Sequence, residues 1–252
     1  MDLQLGRLPA PGQPDGYAPR AVRPSGTSQH PVVRTIFPRA QVVATAAAVV
    51  LSVWTMAGAE ELSGAAAVAD AVLWGKEMPA AAHTAGLPRT VQSQLAEYRE
   101  RERVFRSGLT PPPGATPDEI QTYDKRVGIE RVVFCLFARG DSARVAPQYA
   151  LDADIEPDWQ GLPEMPRREA KFIDRLLADL PKPWLAPYLN LVAGHRKLCA
   201  SEMDGSAADA RSRAMAEDAR RQLARARDGG NRLIRVVAER LLATGRCSEP
   251  QM

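Results

Sequence analysis

The sequence predicts an all-α protein built from antiparallel helical hairpins. Three observations support this. Apolar residues recur at three- and four-residue spacing through the body of the chain, as in "IERVVFCLF", where Ile129, Val132, Val133, Leu136 and Phe137 fall on one helical stripe. A complete helix start, Thr116-Pro117-Asp118-Glu119, places an N-cap, a proline at the first helical position and a glutamate three residues after the cap. Short connectors, "PKP", "DGS" and "DGG", separate the last four periodic segments, and short connectors make successive helices antiparallel neighbours.

The N-terminal region is set apart by composition. Residues 1–38 are crowded with Pro, Gly, Ser and Arg and carry no apolar period, which predicts a disordered tail or an overextended gene start. Residues 39–59 read as a signal peptide. In "PRAQVVATAAAVVLSVWTMAGAEE", Arg34 and Arg39 precede the apolar run Val42 to Met56, and Ala57 and Ala59 give the small residues that a signal peptidase reads before Glu60. A membrane-spanning helix needs about 20 apolar residues, and this run is shorter. Cleavage after Ala59 would deliver a periplasmic or secreted protein. The alternative is an anchored envelope structural protein whose only membrane contact is the uncut segment.

Residues 60–115 are predicted as an N-terminal helical segment followed by a proline-rich connector. Ala65 to Trp74 is small and apolar. Thr90 to Ser107 is a strong helix former with Val91, Leu95, Tyr98, Glu102 and Phe105 near one stripe, and "TPPPGATPDE" then breaks the chain. Residues 116–252 form the helical domain. Its first helix runs from the Thr116 cap to about Ala138, where Arg139-Gly140 is read as the exit and Gly140 as a left-handed cap. A switch to a strand at Gly128 is the other reading of the β-rich run "VVFCLF". From Asp141 to Pro166 the chain reads as irregular, pinned by Trp159. Amphipathic helices follow over Arg167–Leu180, Trp184–Glu202, Ala207–Arg227 and Asn231–Thr244. The stretch "LPKPWLAPYLNL" between two of these resembles a tetratricopeptide-type hairpin over about 75 residues. It departs from that repeat in having Pro187 and Tyr188 where Leu and Gly belong, and no second copy follows.

Charge excludes one class of partner. Among 252 residues there are 33 basic and 30 acidic side chains; residues 1–59 hold five arginines and two aspartates, which leaves 28 of each sign in the body. A balanced body lacks the footprint of a phosphate-backbone binder, so nucleic acid is not an expected partner. The Arg- and Ala-rich Ala207–Arg227 has Glu217, Asp218 and Asp228 interleaved and suits close helix packing better than a membrane surface.

The chemical motifs are fragmentary. "FARGDS" resembles the nucleophile block of GDSL-type serine hydrolases, which would make Ser142 the nucleophile. That family also requires an aspartate three residues before its histidine, and Val192 stands three before His195. The hydrolase is therefore the alternative function. Arg139-Gly140-Asp141 also spells a tripeptide used in integrin binding, a match that short chains carry by chance. Asp152, Asp154, Glu156 and Asp158 imitate the opening of a calcium loop, but Pro157 and Pro163 occupy the positions that need Gly and Glu. Beyond the N-terminal region the only histidines are His83 and His195. No zinc cluster and no phosphate-cradling glycine loop is present, and no cofactor is expected.

Three cysteines remain. If the last three helices run up, down, up, Cys199 and Cys247 meet at one end of the bundle. Such a bridge closes about 49 residues and contributes on the order of 4 kcal/mol in the chain-entropy account. Cys135 is then a buried thiol. The expectation is an exported, non-enzymatic helical protein that binds an unidentified protein or small molecule in the envelope, with Trp159, His195 and Arg196 as candidate binding residues.

Overall fold

The computed structural model describes residues 63–137, 140–155, 159–179, 183–205 and 209–247. The signal segment, its cleavage residues and the tail before it lie outside the described residues, as do Arg139, Glu156 and Asp158. Among the described residues the chain is all-helical: eight α-helices, two short 3-10 turns and no strand. None of these helices is long and apolar enough to cross a membrane.

Helix α1 spans 63–74 and is built almost wholly of small residues, which bury Val68, Ala69, Val72 and Leu73 completely. It ends at Gly75, whose φ of 67° reverses the chain. A Cβ on Gly75 would lie 2.5 Å from the carbonyl carbon of Gly128, so both glycines are needed for α1 to approach α3 this closely. Two arginines satisfy carbonyls left over at the end of α1: Arg196 Nη2 donates to Leu73 O at 3.1 Å and Arg131 Nη2 to Gly75 O at 2.8 Å.

Helix α2, Arg89–Val104, buries Val91, Leu95 and Tyr98 as the periodicity predicts, and stops before Phe105. Helix α3, Pro117–Leu136, begins with the full capping box: Glu119 N donates to Thr116 Oγ1 at 3.4 Å and Thr116 N donates to Glu119 Oε2 at 2.8 Å. The run "VVFCL" is helix, with Val132, Val133, Cys135 and Leu136 buried. Its exit differs from expectation. The helix ends at Leu136 with Phe137 extended, and Gly140 has no left-handed φ, because the chain opens directly toward the next helix.

The largest correction concerns 141–166. Ser142–Asp152 is a helix, α4, despite Pro147 in its interior. A proline there forfeits a backbone hydrogen bond, but Ala146, Tyr149 and Ala150 bury one face at helical spacing and outweigh that loss. Helices α5 (Glu164–Ala178), α6 (Ala186–Met203), α7 (Ala210–Gly229) and α8 (Arg232–Thr244) complete the order. Adjacent ones pack on each other, α5 and α7 both against α6, and α8 against α7 and α2.

Helix α6 is not the amphipathic helix expected. Every residue from Tyr188 to Ala200 is buried, so the helix runs through the interior and carries His195, Arg196 and Lys197 with it. Gly194 lets α7 come close: a Cβ there would stand 2.8 Å from Leu223 Cγ and 3.0 Å from Ala219 O. The alanines of α7 thus serve close packing. One apolar core continues from Ala65 to Leu241, so 60–115 and 116–252 share it.

Candidate functional site

The three residues singled out for binding, Trp159, His195 and Arg196, are brought together, but inside the protein: they are 6%, 0% and 4% exposed. Arg196 is the hub. Its Nε donates to Glu169 Oε2 at 2.6 Å, Nη1 to His195 Nδ1 at 2.8 Å, and Nη2 to the Leu73 carbonyl. Its guanidinium lies 4.1 Å from the ring centroid of Trp74 and 5.1 Å from that of Trp159. Glu169, on α5, uses its other oxygen to accept from Trp159 Nε1 at 3.1 Å. Trp74 and Trp159 pack 4.8 Å apart, and Trp74 meets His195 edge-on at 5.3 Å. One cation thus joins α1, α5, α6 and the Trp159 segment.

This arrangement leaves little room for a guest. The cavity beside Arg196, lined by Leu73, Tyr149, Ile173 and Tyr188, is about 20 Å³, near the size of one water. Burial, and then the neighbouring phenol of Tyr188, push the Tyr149 hydroxyl well above its ordinary range, so both tyrosines stay neutral against the network. Sequence reasoning missed Glu169 and Trp74. Their signal was faint: an acidic residue at a helical core position, and a tryptophan closing an alanine-rich run.

The disulfide joins Cys199 to Cys247. Its position follows from local structure. Gly245, at φ 60°, ends α8 with its N–H on Leu241 O at 2.9 Å, and the chain doubles back so that Cys247 N donates to Glu202 Oε1 at 2.9 Å. Cys199 is fully buried and Cys247 half-buried. Cys135 is the free thiol; burial, chiefly, and then Glu102 push it up to about 12, so it is inert at neutral pH.

His195, Cys199 and Cys247 have donor atoms within 4.8 Å of one another, the spacing of a metal site. The chemistry does not fit one. Both sulfurs are spent in their mutual bond, and His195 Nδ1 already accepts from a guanidinium that can only donate.

Ser142 is the first residue of α4 and 4% exposed. It therefore opens a helix instead of following a strand. His195 has both ring nitrogens engaged, Nδ1 by Arg196 and Nε2 facing Cys199 Sγ at 3.4 Å. Of the calcium-like acidic series, Asp152 accepts from Gln148 and Asp154 pairs with Arg168 at 3.1 Å.

The roomiest concavity lies elsewhere. Leu109, Thr110 and Pro112 of the connector, Tyr123 and Arg126 of α3, and Leu151 of α4 line an open groove of about 340 Å³. Leu151 is 50% exposed, and Arg126 Nε is buried without a hydrogen-bond partner. The proline connector, read from sequence only as a stiff spacer, supplies one wall.

No family model matches the chain, and no curated protein or solved structure matches it significantly.

Proposed function

We propose that this is an exported, non-enzymatic helical protein that acts by binding in the envelope, and that the groove between the proline connector, α3 and α4 is its binding face. One observation carries the reading: the groove is chiefly apolar yet holds Arg126, whose Nε has no acceptor. A partner with an apolar segment and an anionic or carbonyl oxygen satisfies both. The disulfide supports an oxidising compartment. The buried Trp159–His195–Arg196 cluster then acts as scaffold, holding the helices that shape the groove.

The test is a fluorescence titration with 1-anilinonaphthalene-8-sulfonate, an apolar anion of suitable chemistry. Enhancement should be strong for the native protein, nearly lost in Leu151→Asp and weakened in Arg126→Ala. Equal enhancement in all three removes the groove from consideration. A fluorophosphonate probe, in parallel, should leave the protein unlabelled; labelling abolished by Ser142→Ala would establish the hydrolase instead. Recovery of a mature form beginning at Glu60 from the periplasm or medium checks the export half, and an intact Val42–Met56 segment in the membrane fraction would favour the anchored alternative.

A further inference from the structure

We propose that the Cys199–Cys247 disulfide is a thiol-exchange site, polarised by His195 so that dithiols attack Cys247 and expel Cys199 as a thiolate. The inference does not rest on the groove. It starts from a tautomer. Arginine offers only N–H donors, so the contact of Arg196 Nη1 with His195 Nδ1 makes that nitrogen an acceptor. The imidazole is then neutral and its proton sits on Nε2. Nε2 is 3.4 Å from Cys199 Sγ, so the N–H is directed at one sulfur of the bridge. Glu169 and the two tryptophans hold Arg196, and Arg196 holds the ring, so the donor is fixed before any reaction.

A fixed N–H at a sulfur has a directional consequence. Thiol–disulfide exchange runs faster when the departing sulfur leaves as a stabilised thiolate, and it requires access to the sulfur attacked. Here the two requirements separate. Cys199, with the donor, is fully buried; Cys247, on the strap after α8, is half-buried and approachable.

The steps balance. The thiolate of a dithiol reductant, such as the active-site pair of an exported oxidoreductase, attacks Cys247 Sγ. A new S–S bond forms to Cys247, the Cys199–Cys247 bond breaks, and its electron pair departs on Cys199, where His195 Nε2–H donates to it. The second thiol of the reductant, deprotonated, attacks its own sulfur in the mixed disulfide and releases Cys247, which takes up a proton. Two electrons pass from the dithiol to the protein, and the reductant leaves as a cyclic disulfide. The product has the α8 strap detached from α6, while α6 keeps its place in the core.

Two measurements on the purified protein test this. Incubation with glutathione, followed by acid trapping and peptide mass mapping, should place the adduct on Cys247; an adduct on Cys199, or equally on both, would overturn the proposal. Reduction by dithiothreitol should slow at least about tenfold in His195→Leu, the effect expected from losing one hydrogen bond to a charged group, and recover in His195→Gln, whose amide N–H reaches the same sulfur. Equal rates in the three proteins would overturn it. If the leucine variant does not fold, the reduced native protein decides: its thiolate absorbance near 240 nm should show one cysteine ionising below the ordinary value of about 8.5. Ionisation only at or above that value sinks the idea.

Discussion

Arg196 is the residue on which most of the interior polar chemistry converges, and the cost of losing it follows from what it leaves behind. With the guanidinium gone, the Glu169 carboxylate would sit 6% exposed with only Trp159 Nε1 among the partners named above. Removing one partner of a buried ion pair costs about 3–5 kcal/mol because the other charge is stranded. Arg196→Met should therefore lose roughly that much in a urea titration, and adding Glu169→Gln should recover a large part; a double variant as unstable as the single one would show that packing, not charge, dominates. Lys197 makes the opposite kind of contact, reaching from α6 to Asp218 of α7 and, at 2.8 Å, to Asp174 of α5. Partial burial opposes ionisation of Asp218, but Lys197 and Arg221 outweigh it and hold the carboxyl below its ordinary value of 3.8. A carboxylate lowered in the folded state stabilises fully above its unfolded value, and that contribution disappears as the pH falls through the lowered one. Asp218→Asn should accordingly flatten the acid limb of the stability profile below that ordinary value while leaving its shape near neutrality unchanged.

Among the elements, the α6–α7 contact is the most sensitive to a single methyl group. Gly194→Ala places a Cβ 3.0 Å from Ala219 O, a backbone atom held by its own helix, and overpacking of this kind costs about 1–3 kcal/mol. The thermal midpoint should fall, whereas Gly140→Ala, with open space around its Cβ, should leave it within error. The same contact shows which elements were legible in the sequence. Capped and periodic segments were: the Thr116 box and the α2 stripe declare themselves through local chemistry and a 3.6-residue period. Two helices were not. Helix α4 has Pro147 within a single buried face, so local propensity argues against it and only tertiary burial selects it. Helix α6 was legible as a helix but not as a central one, because His195, Arg196 and Lys197 look like a solvated flank. Their partners, Leu73, Glu169 and Asp218, come from three other parts of the chain. For that reason the three candidate binding residues were found together while their role was not. The groove escaped because a wall made of prolines has no period to detect.

For the molecule as a whole, the disulfide is the one cross-link that ties its C-terminal strap to the interior, and its two cysteines are 48 residues apart in sequence. Everything between them, the end of α6 and all of α7 and α8, becomes a closed loop when the bridge forms. Closing a loop of that length restricts the unfolded chain far more than the folded one, and contributes on the order of 4 kcal/mol in the chain-entropy account. The folded side should change little, because α8 also holds itself in place through buried Leu233, Ile234, Val237 and Leu241 and through Asn231 Nδ2, which donates to Leu136 O at 2.9 Å. Cys247→Ser should therefore lower unfolding free energy by roughly that amount while far-ultraviolet circular dichroism at room temperature remains that of the parent. The denaturant midpoint moves and the native spectrum does not. Loss of helix signal in the unstressed variant would instead mean that the bridge, and not the core, keeps α8 folded.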